Sequence, residues 1–292
     1  MFEPPDHRYR VPLDGSFHLA DAPQHPPDDS PRKAELKAGL RETRQRLAEL
    51  QRMLFAHDHH SLLLIFQSMD AGGKDSTIRA VMTGVNPAGC QVHAFGPPSH
   101  EALNHDFLWR TVWRLPERGR IGIFNRSYYE EVLVTRVHPE LLKAQHIPGM
   151  QPDQAFWEGR YEAIRDHERH LAREGTVILK FWLNVSAEKQ RKRFLKRIDR
   201  PDKNWKFSAE DVAERRYWNE YMHAYEAALN ATSRPWAPWY AIPADHKPYM
   251  RCQVADIVTR TLEALPLRYP ELTGTQKAEL ARLRLELSTP GN

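Results

Sequence analysis

The sequence predicts an α/β fold, a parallel five-stranded sheet with helices on both faces. Two observations carry that reading. Short apolar runs recur along the chain, the clearest being Ser61-Leu62-Leu63-Leu64-Ile65-Phe66 and Val177–Asn184. Unbroken apolarity over so few residues is how a strand buried on both faces reads. Helical stretches separate these runs, and alternating strands and helices imply right-handed crossovers between parallel strands.

Residues 1–33 come first and include Pro4, Pro5, Pro12, Pro23, Pro26, Pro27 and Pro31. They read as an extended, partly ordered arm. From Lys33 to about Ala56, Leu36, Leu40, Leu47, Leu50 and Leu54 recur at helical spacing and predict an amphipathic helix. The strand at 61–66 follows, then a loop and a helix to about Met82. Strands are expected at Gln91–Phe95 and Arg120–Asn125, with a helix over 101–115 between them. A short helix begins near Tyr128, and residues 153–174 form a longer one. After the strand at Val177–Asn184, helical pattern covers 186–198 and 208–230. Trp236–Ile242 reads as the last strand and 247–265 as a helix packing back. Residues 34–265 thus make one domain, and the tail 266–292 carries one exposed helix over 275–288.

At 292 residues the chain builds a substantial core without a second domain. With 41% hydrophobic and 27% charged residues it reads as globular and soluble. No apolar run reaches the roughly 20 residues that cross a bilayer, so no membrane partner is expected. The polar, Pro-rich start is no secretory signal, and a cytoplasmic location is expected. Cys90 and Cys252 alone make neither a disulfide framework nor a zinc site. A net charge of +4 says little, but Lys and Arg crowd into 189–206. Such a run is commonly a solvated helix face. Here it follows a predicted strand and lies downstream of a phosphate motif, which favours an anion-binding role.

That motif is Gln67-Ser68-Met69-Asp70-Ala71-Gly72-Gly73-Lys74-Asp75-Ser76-Thr77, between the first strand and its helix. Small residues at Ala71, Gly72 and Gly73 let backbone amides, through Ser76, approach phosphate oxygens, and the helix start adds positive potential. Lys74 reaches across the phosphates as a point charge. The full Walker pattern is not met: Ser68 replaces the first glycine and Asp75 the residue after lysine. The plain alternative is a strand-to-helix turn that uses its glycines for tightness. Asp70 and Asp75 argue against a bare anion site, because carboxylates repel phosphate. They suit a site that also holds Mg²⁺, which bridges carboxylate and phosphate oxygens.

The run Ile121-Gly122-Ile123-Phe124-Asn125-Arg126-Ser127-Tyr128-Tyr129-Glu130-Glu131 ends a second strand, where open α/β sheets gather ligands. Asn125 stands where many P-loop enzymes keep a Mg²⁺-associated Asp, so it offers an oxygen without the charge. Glu130 and Glu131 sit one turn on. Arg126 is placed either to reach a phosphate or to pair with a neighbouring Glu.

The loop SMDAGGKDSTIRAVMTGVNPAGCQV, the run IFNRSYYEEVLVTRV, and the later QRKRF and PDKNWKFSAED together resemble the polyphosphate kinase 2 family, most closely its class III branch. The similarity runs from about Tyr9 to Leu265. It implies a P-loop kinase-like fold related to thymidylate kinases, with a helical lid at about 197–215. It implies phosphoryl transfer, in both directions, between inorganic polyphosphate and nucleoside mono- and diphosphates: AMP to ADP, and ADP to ATP. Guanine nucleotides are further candidate acceptors, Mn²⁺ is an alternative to Mg²⁺, and a homo-oligomer is expected. Asn125 is usual in that branch.

The expected site follows. Asp70, Lys74, Arg126 and Arg193 carry the chemistry, with Asp70 the leading Mg²⁺ carboxylate and Asp75, Asn125 and Glu130 its secondary candidates. Arg193, Arg197, Arg200, Lys203 and Lys206 close over the phosphates, and Asp211 belongs to the same lid. Arg200-Pro201-Asp202 interrupts the helical pattern, and Ser208 reads as an N-cap. A polyphosphate chain also needs a path, with Arg79, Arg126, Arg136 and Lys180 as candidates. The group His57-Asp58-His59-His60 is better read as a polar helix end than as a metal cluster. His100 and His105 are candidates to approach the nucleotide, against the plainer reading of exposed histidines. Trp205, Trp218, Trp236, Trp239 and Tyr240 are expected to pack in core or lid. No nucleic-acid module is present. Two other functions fit the residues: an ATP-dependent nucleoside or nucleotide kinase, and a non-catalytic polyanion-binding protein.

Overall fold

In the computed structural model, residues 1–206 and 208–288 are described. Helix α1 (Lys33–His57) leads into β1 (Ser61–Gln67), α2 (Lys74–Val81) and β2 (Cys90–Ala94). Two single turns, α3 (His100–Leu103) and α4 (Trp109–Val112), precede β3 (Ile121–Asn125), α5 (Glu130–Val137), α6 (Gln154–Arg173) and β4 (Thr176–Asn184). Then come α7 (Ala187–Ile198), α8 (Ala209–Ala213), α9 (Trp218–Thr232), β5 (Trp239–Pro243), α10 (Lys247–Ala264) and α11 (Gly274–Ser288).

The five strands form one parallel sheet, as predicted, and their order is β2-β3-β1-β4-β5. Every residue of β1 is buried, and Leu64 lies between Ile123 on one side and Leu179 on the other. One helical layer joins α1, α2 and α10, and the other joins α5, α6 and α9. From β1 the chain crosses to the β2–β3 side and then returns to β4. The carboxyl end of β1 is therefore a topological switch point, where a crevice opens.

Helix α1 buries Leu36, Leu40, Leu47, Leu50 and Leu54, the stripe its spacing predicts. The helix expected over 101–115 is instead α3 and α4, because the Asp106 carboxylate accepts the Leu108 amide at 3.0 Å and restarts the turn. The stretch 208–230 is likewise divided, into α8, a 3-10 turn at Glu214–Tyr217, and α9. Strand β5 starts at Trp239, since Arg234 and Ala237 pair with each other in the preceding turn.

Residues 9–11 lie along the β5 edge, and the arm continues past α9 to the end of β4. The Val11 amide donates to Trp239 O and the Ala241 amide to Tyr9 O, each at 2.9 Å, an antiparallel bridge centred on Arg10 and Tyr240. Tyr9, Val11 and Phe17 are buried, and Asn184 Nδ2 donates to Ala22 O at 3.0 Å. Helix α11 buries no residue. No helix among the described residues is long and apolar enough to cross a membrane.

Lys180 is not on a surface path. It is fully buried in β4, and its ammonium donates to Glu168 Oε2 at 2.5 Å, Tyr129 OH at 2.9 Å and Thr232 O at 2.8 Å. Tyr128 and Tyr129 each donate to Glu168 Oε1 at 2.9 Å, so the buried carboxylate is fully engaged. Arg136 also points elsewhere, donating to Tyr161 OH at 2.6 Å between α5 and α6. Trp239 and Tyr240 are core residues, Trp218 and Trp236 pack at its margin, and Trp205 is largely exposed. The histidines 57, 59 and 60 stack at the start of β1, the end away from the phosphate motif.

Candidate active site

The segment Ser68–Gly73 turns β1 into α2. The Gly72 amide donates to Met69 O at 2.9 Å, and a Cβ on Gly72 would stand 2.6 Å from Ser68 Cβ and 2.8 Å from Met69 O. Only glycine fits this turn. Gly73 has φ +110°, a left-handed value that glycine takes without steric cost, and Ala71 has φ +56°. Helix α2 then begins at Lys74. The Lys74 ammonium is buried and donates to Ser68 O at 2.8 Å and to Ser68 Oγ at 3.1 Å. The residue that breaks the Walker pattern is thus a partner of the lysine. Burial, and then the nearby Arg126 charge, push Lys74 down to about 8, against the opposing pull of Asp70, Glu130 and Asp75.

Strand β3 ends beside this loop, with Asn125 in register with Phe66. Asn125 Nδ2 donates to Asp75 Oδ1 at 3.0 Å. Arg126 has φ +65°, a left-handed value uncommon for a side chain of its size, and the turn it makes leads into α5. Its guanidinium donates to Asp70 Oδ1 at 2.7 Å and lies 3.8 Å from Glu130 Oε2. Burial raises the Glu130 carboxyl above its ordinary range, against the pull of Arg126 and Lys74.

Helix α7 supplies the third wall. Arg193 Nη1 donates to Ala71 O at 2.9 Å and Gly72 O at 2.7 Å, and Nη2 donates to Ala244 O at 2.6 Å. The guanidinium therefore holds the loop's carbonyls to the end of β5. Gln190, missed in the sequence, donates to Asp70 O at 2.9 Å. Arg197 approaches Asp211 at 3.5 Å, joining α7 to α8. Arg200 makes a fork to Asp202, at 2.9 and 2.8 Å, and faces solvent. The side chain of Lys206 lies outside the described residues.

Two cavities meet here. One, of about 730 Å³, is lined by the loop from Asp70 to Ser76, by Asn125 and Arg126, and by Arg79, Arg193, Lys196, Arg197, Lys203 and Lys247. Its cationic wall is offset by the carboxylates of Asp70, Asp75 and Asp211. The other, of about 670 Å³, mixes apolar residues such as Pro97, Phe107 and Leu133 with Glu130, Glu131, Glu210 and Glu214. Asp70, Gly96, Arg126 and Asp211 line both. Arg200 lines neither. His105 lines the second cavity, stacked 4.1 Å from the Trp109 ring, and His100 lines neither.

A family model described as Polyphosphate kinase 2 matches residues 30–268. The chain belongs to the polyphosphate kinase 2 family. It is 53% identical to an ADP-polyphosphate phosphotransferase of Rhodopseudomonas palustris, over 85% of this chain and 86% of that one. It is 45% identical to an AMP/ADP-polyphosphate phosphotransferase of Meiothermus ruber, over 90% of this chain and 95% of that one. The crystal structure of Polyphosphate Kinase 2 from Arthrobacter aurescens TC1 superposes with a TM-score of 0.86 at 40% identity, covering 95% of each chain. The five-stranded parallel sheet therefore matches that of a solved polyphosphate kinase 2.

Sequence reasoning missed most of the second cavity. Its walls come from the loop after β2, the α5 helix, the 3-10 turn Pro139–Gln145 and the acids of 210–214. The one local signal was the cluster Glu210, Asp211 and Glu214 directly after a basic run. Lys247, in the first cavity, was missed because it opens α10 rather than any phosphate motif. Burial and the surrounding positive charges push it down to about 8.

Proposed function

We propose that the chain passes phosphoryl groups in both directions between inorganic polyphosphate, seated in the cationic cavity, and ADP or AMP, seated in the neighbouring one. Polyphosphate-driven phosphorylation of ADP and AMP is the forward reaction of this polyphosphate kinase 2. The observation that carries the two-site reading is the shared lining at Asp70 and Arg126. A donor's terminal phosphate on one side and an acceptor's phosphate on the other meet at these two residues.

Phosphoryl transfer asks the protein for alignment and for neutralisation of spreading negative charge. Lys74 and the amides of Gly72 to Ser76 grip the donor. Arg126 offers its fork to the equatorial oxygens of the moving group, and Asp70 sets the orientation of that fork. Arg193 is a positioning residue, because three of its hydrogen bonds hold backbone carbonyls. Arg197, Arg200, Lys203 and Lys206 belong to a lid at about 197–215 that adds charge and excludes water.

The acids in this cavity suit a magnesium ion. Among the described residues no three His, Cys, Asp or Glu side chains form a protein cage. Mg²⁺ needs none, since it keeps waters and phosphate oxygens and takes only one or two carboxylates. Asp70 and Asp75 would hold it, with Asn125 and Glu130 beside them, and Mn²⁺ suits the same oxygens. When bound, the ion draws charge from the phosphate oxygens.

The test offers ADP, and separately AMP, with polyphosphate and Mg²⁺ but no ATP, and resolves the nucleotides by chromatography. ATP from ADP and ADP from AMP are expected. Turnover with ATP as donor and none with polyphosphate would overturn the proposal in favour of an ATP-dependent kinase.

A further inference from the structure

Arg126 stands on a turn that is held at both ends. Its backbone is left-handed, at φ +65°, a conformation that persists at such a residue only where the surroundings enforce it. On the upstream side the Arg126 amide donates to Phe66 O on β1 at 3.0 Å. On the downstream side come Tyr128 and Tyr129, both buried, whose carbonyls accept the Glu131 and Val132 amides at 3.1 and 3.0 Å. They therefore form the turn that opens α5. Ser127 Oγ accepts the Tyr129 amide at 3.1 Å and Gln67 Nε2 at 3.3 Å, which ties the same turn to the end of β1.

Both tyrosine hydroxyls reach one atom. Tyr128 and Tyr129 each donate to Glu168 Oε1 on α6, while Lys180 on β4 donates to the other carboxylate oxygen and to Tyr129 OH. Burial, and then the Glu168 charge, raise both phenols well above their ordinary range, so each keeps the proton it donates. Neighbouring side chains on a helical turn leave the backbone about 100° apart. Two of them meeting at one oxygen fix the rotation of the turn about its axis, and with it the directions of Arg126 and Glu130. Glu168, Lys180 and Tyr129 line neither cavity. A buried ion pair adds little stability over well-packed apolar side chains of the same volume. What apolar side chains cannot supply is the shared acceptor.

We propose that Glu168 is a positioning residue for phosphoryl transfer, which through Tyr128 and Tyr129 holds the β3–α5 turn and so aims the Arg126 guanidinium at the wall the two cavities share. The proposal rests on the role given to Arg126 above.

The test compares two replacements of the pair in the full chain. Lys180→Met with Glu168→Gln removes both charges and keeps an acceptor oxygen for the tyrosines. Lys180→Met with Glu168→Leu removes both charges and the acceptor. Urea unfolding checks that each variant folds, and steady-state kinetics with ADP and long-chain polyphosphate reads kcat and KM. The Leu pair should lose about 10² in kcat, with KM for both substrates near the parent's. The Gln pair should recover most of that loss. Tyr129→Phe deletes one hydroxyl, leaves the ion pair, and should lower kcat about tenfold. In an Arg126→Lys background the Leu pair should cost little more, because the fork it aims is already gone.

Parental kcat in the Leu pair or in Tyr129→Phe overturns the inference. So does a change confined to KM, an equal loss in the Gln and Leu pairs, or full additivity with Arg126→Lys. Should the Leu pair not fold, Tyr129→Phe decides alone. Arg126→Lys with the parent's kcat would overturn the reading of Arg126 and this inference with it. A loss in Arg126→Lys but not in the Leu pair would overturn this inference alone.

Discussion

Arg126 reaches Asp70 at 2.7 Å on the wall that two cavities share. The left-handed backbone at Arg126 turns the chain at the end of β3, and the β1–α2 loop presents the carboxylate from the other side. On the reading proposed above, donor and acceptor meet at this pair, and it makes the sharpest prediction. Arg126→Lys keeps the charge and loses the planar fork. Its kcat should fall by about 10²–10³ with a smaller change in KM for either substrate, read by steady-state kinetics. A variant that lost only KM would place Arg126 in binding alone.

Lys74→Met should reduce kcat/KM for polyphosphate by at least about 10³. The fold should survive, because the change removes a buried ammonium whose direct hydrogen-bond partners among the described residues are two oxygens of Ser68. Thermal melts of parent and variant, run beside the kinetics, check both halves.

Lys74 and Lys247 are each pushed down to about 8, from an ordinary 10.5, by burial among other cations. Below about pH 8 both ammonium groups carry their charge. As pH climbs through that value the ligand-free enzyme loses it, so KM for polyphosphate should rise while kcat stays flatter, because bound phosphate retains the protons. The stability sign is opposite. A lysine with a depressed folded value costs stability at low pH, and between about 8 and 10 the unfolded chain binds more protons. The ligand-free protein should therefore become more stable across that window, as denaturant melts at stepped pH would record.

Lys180→Met strands the Glu168 carboxylate in the core with only two tyrosine hydroxyls. Such a break costs about 3–5 kcal/mol. A matched Lys180→Met and Glu168→Leu double variant should recover much of the loss. Urea unfolding of the parent, the single and the double variant decides the matter. A single variant as stable as the parent would mean the pair contributes nothing.

Gly72→Ala forces a Cβ into Ser68 and the Met69 carbonyl. The loop must shift, and misplaced amides should lower kcat/KM about a hundredfold with a modest change in melting temperature.

The sheet was legible because β1 and β4 are buried on both faces and so read as apolar runs, Lys180 excepted. That lysine also marks where the reading fails. A charge inside an apolar strand was assigned to a surface path, since its partner Glu168 lies on another element and nothing local announces it. Ser68 was read as a departure from a motif, but its backbone and hydroxyl oxygens receive Lys74. Arg193 was assigned to the transferring phosphate, yet three of its hydrogen bonds go to main-chain carbonyls brought near only by folding. The loop's own residues needed only their neighbours in sequence. The second cavity needed four separate segments, and no spacing rule links them.

The two ends of the chain differ in a way that matters at the bench. Residues 7–11 are stitched onto the outer strand of the sheet, so a bulky fusion at residue 1 starts only a few positions from that seam. Helix α11 buries nothing, so a dye, surface tether or purification handle belongs there, where it leaves the packing of the catalytic unit alone.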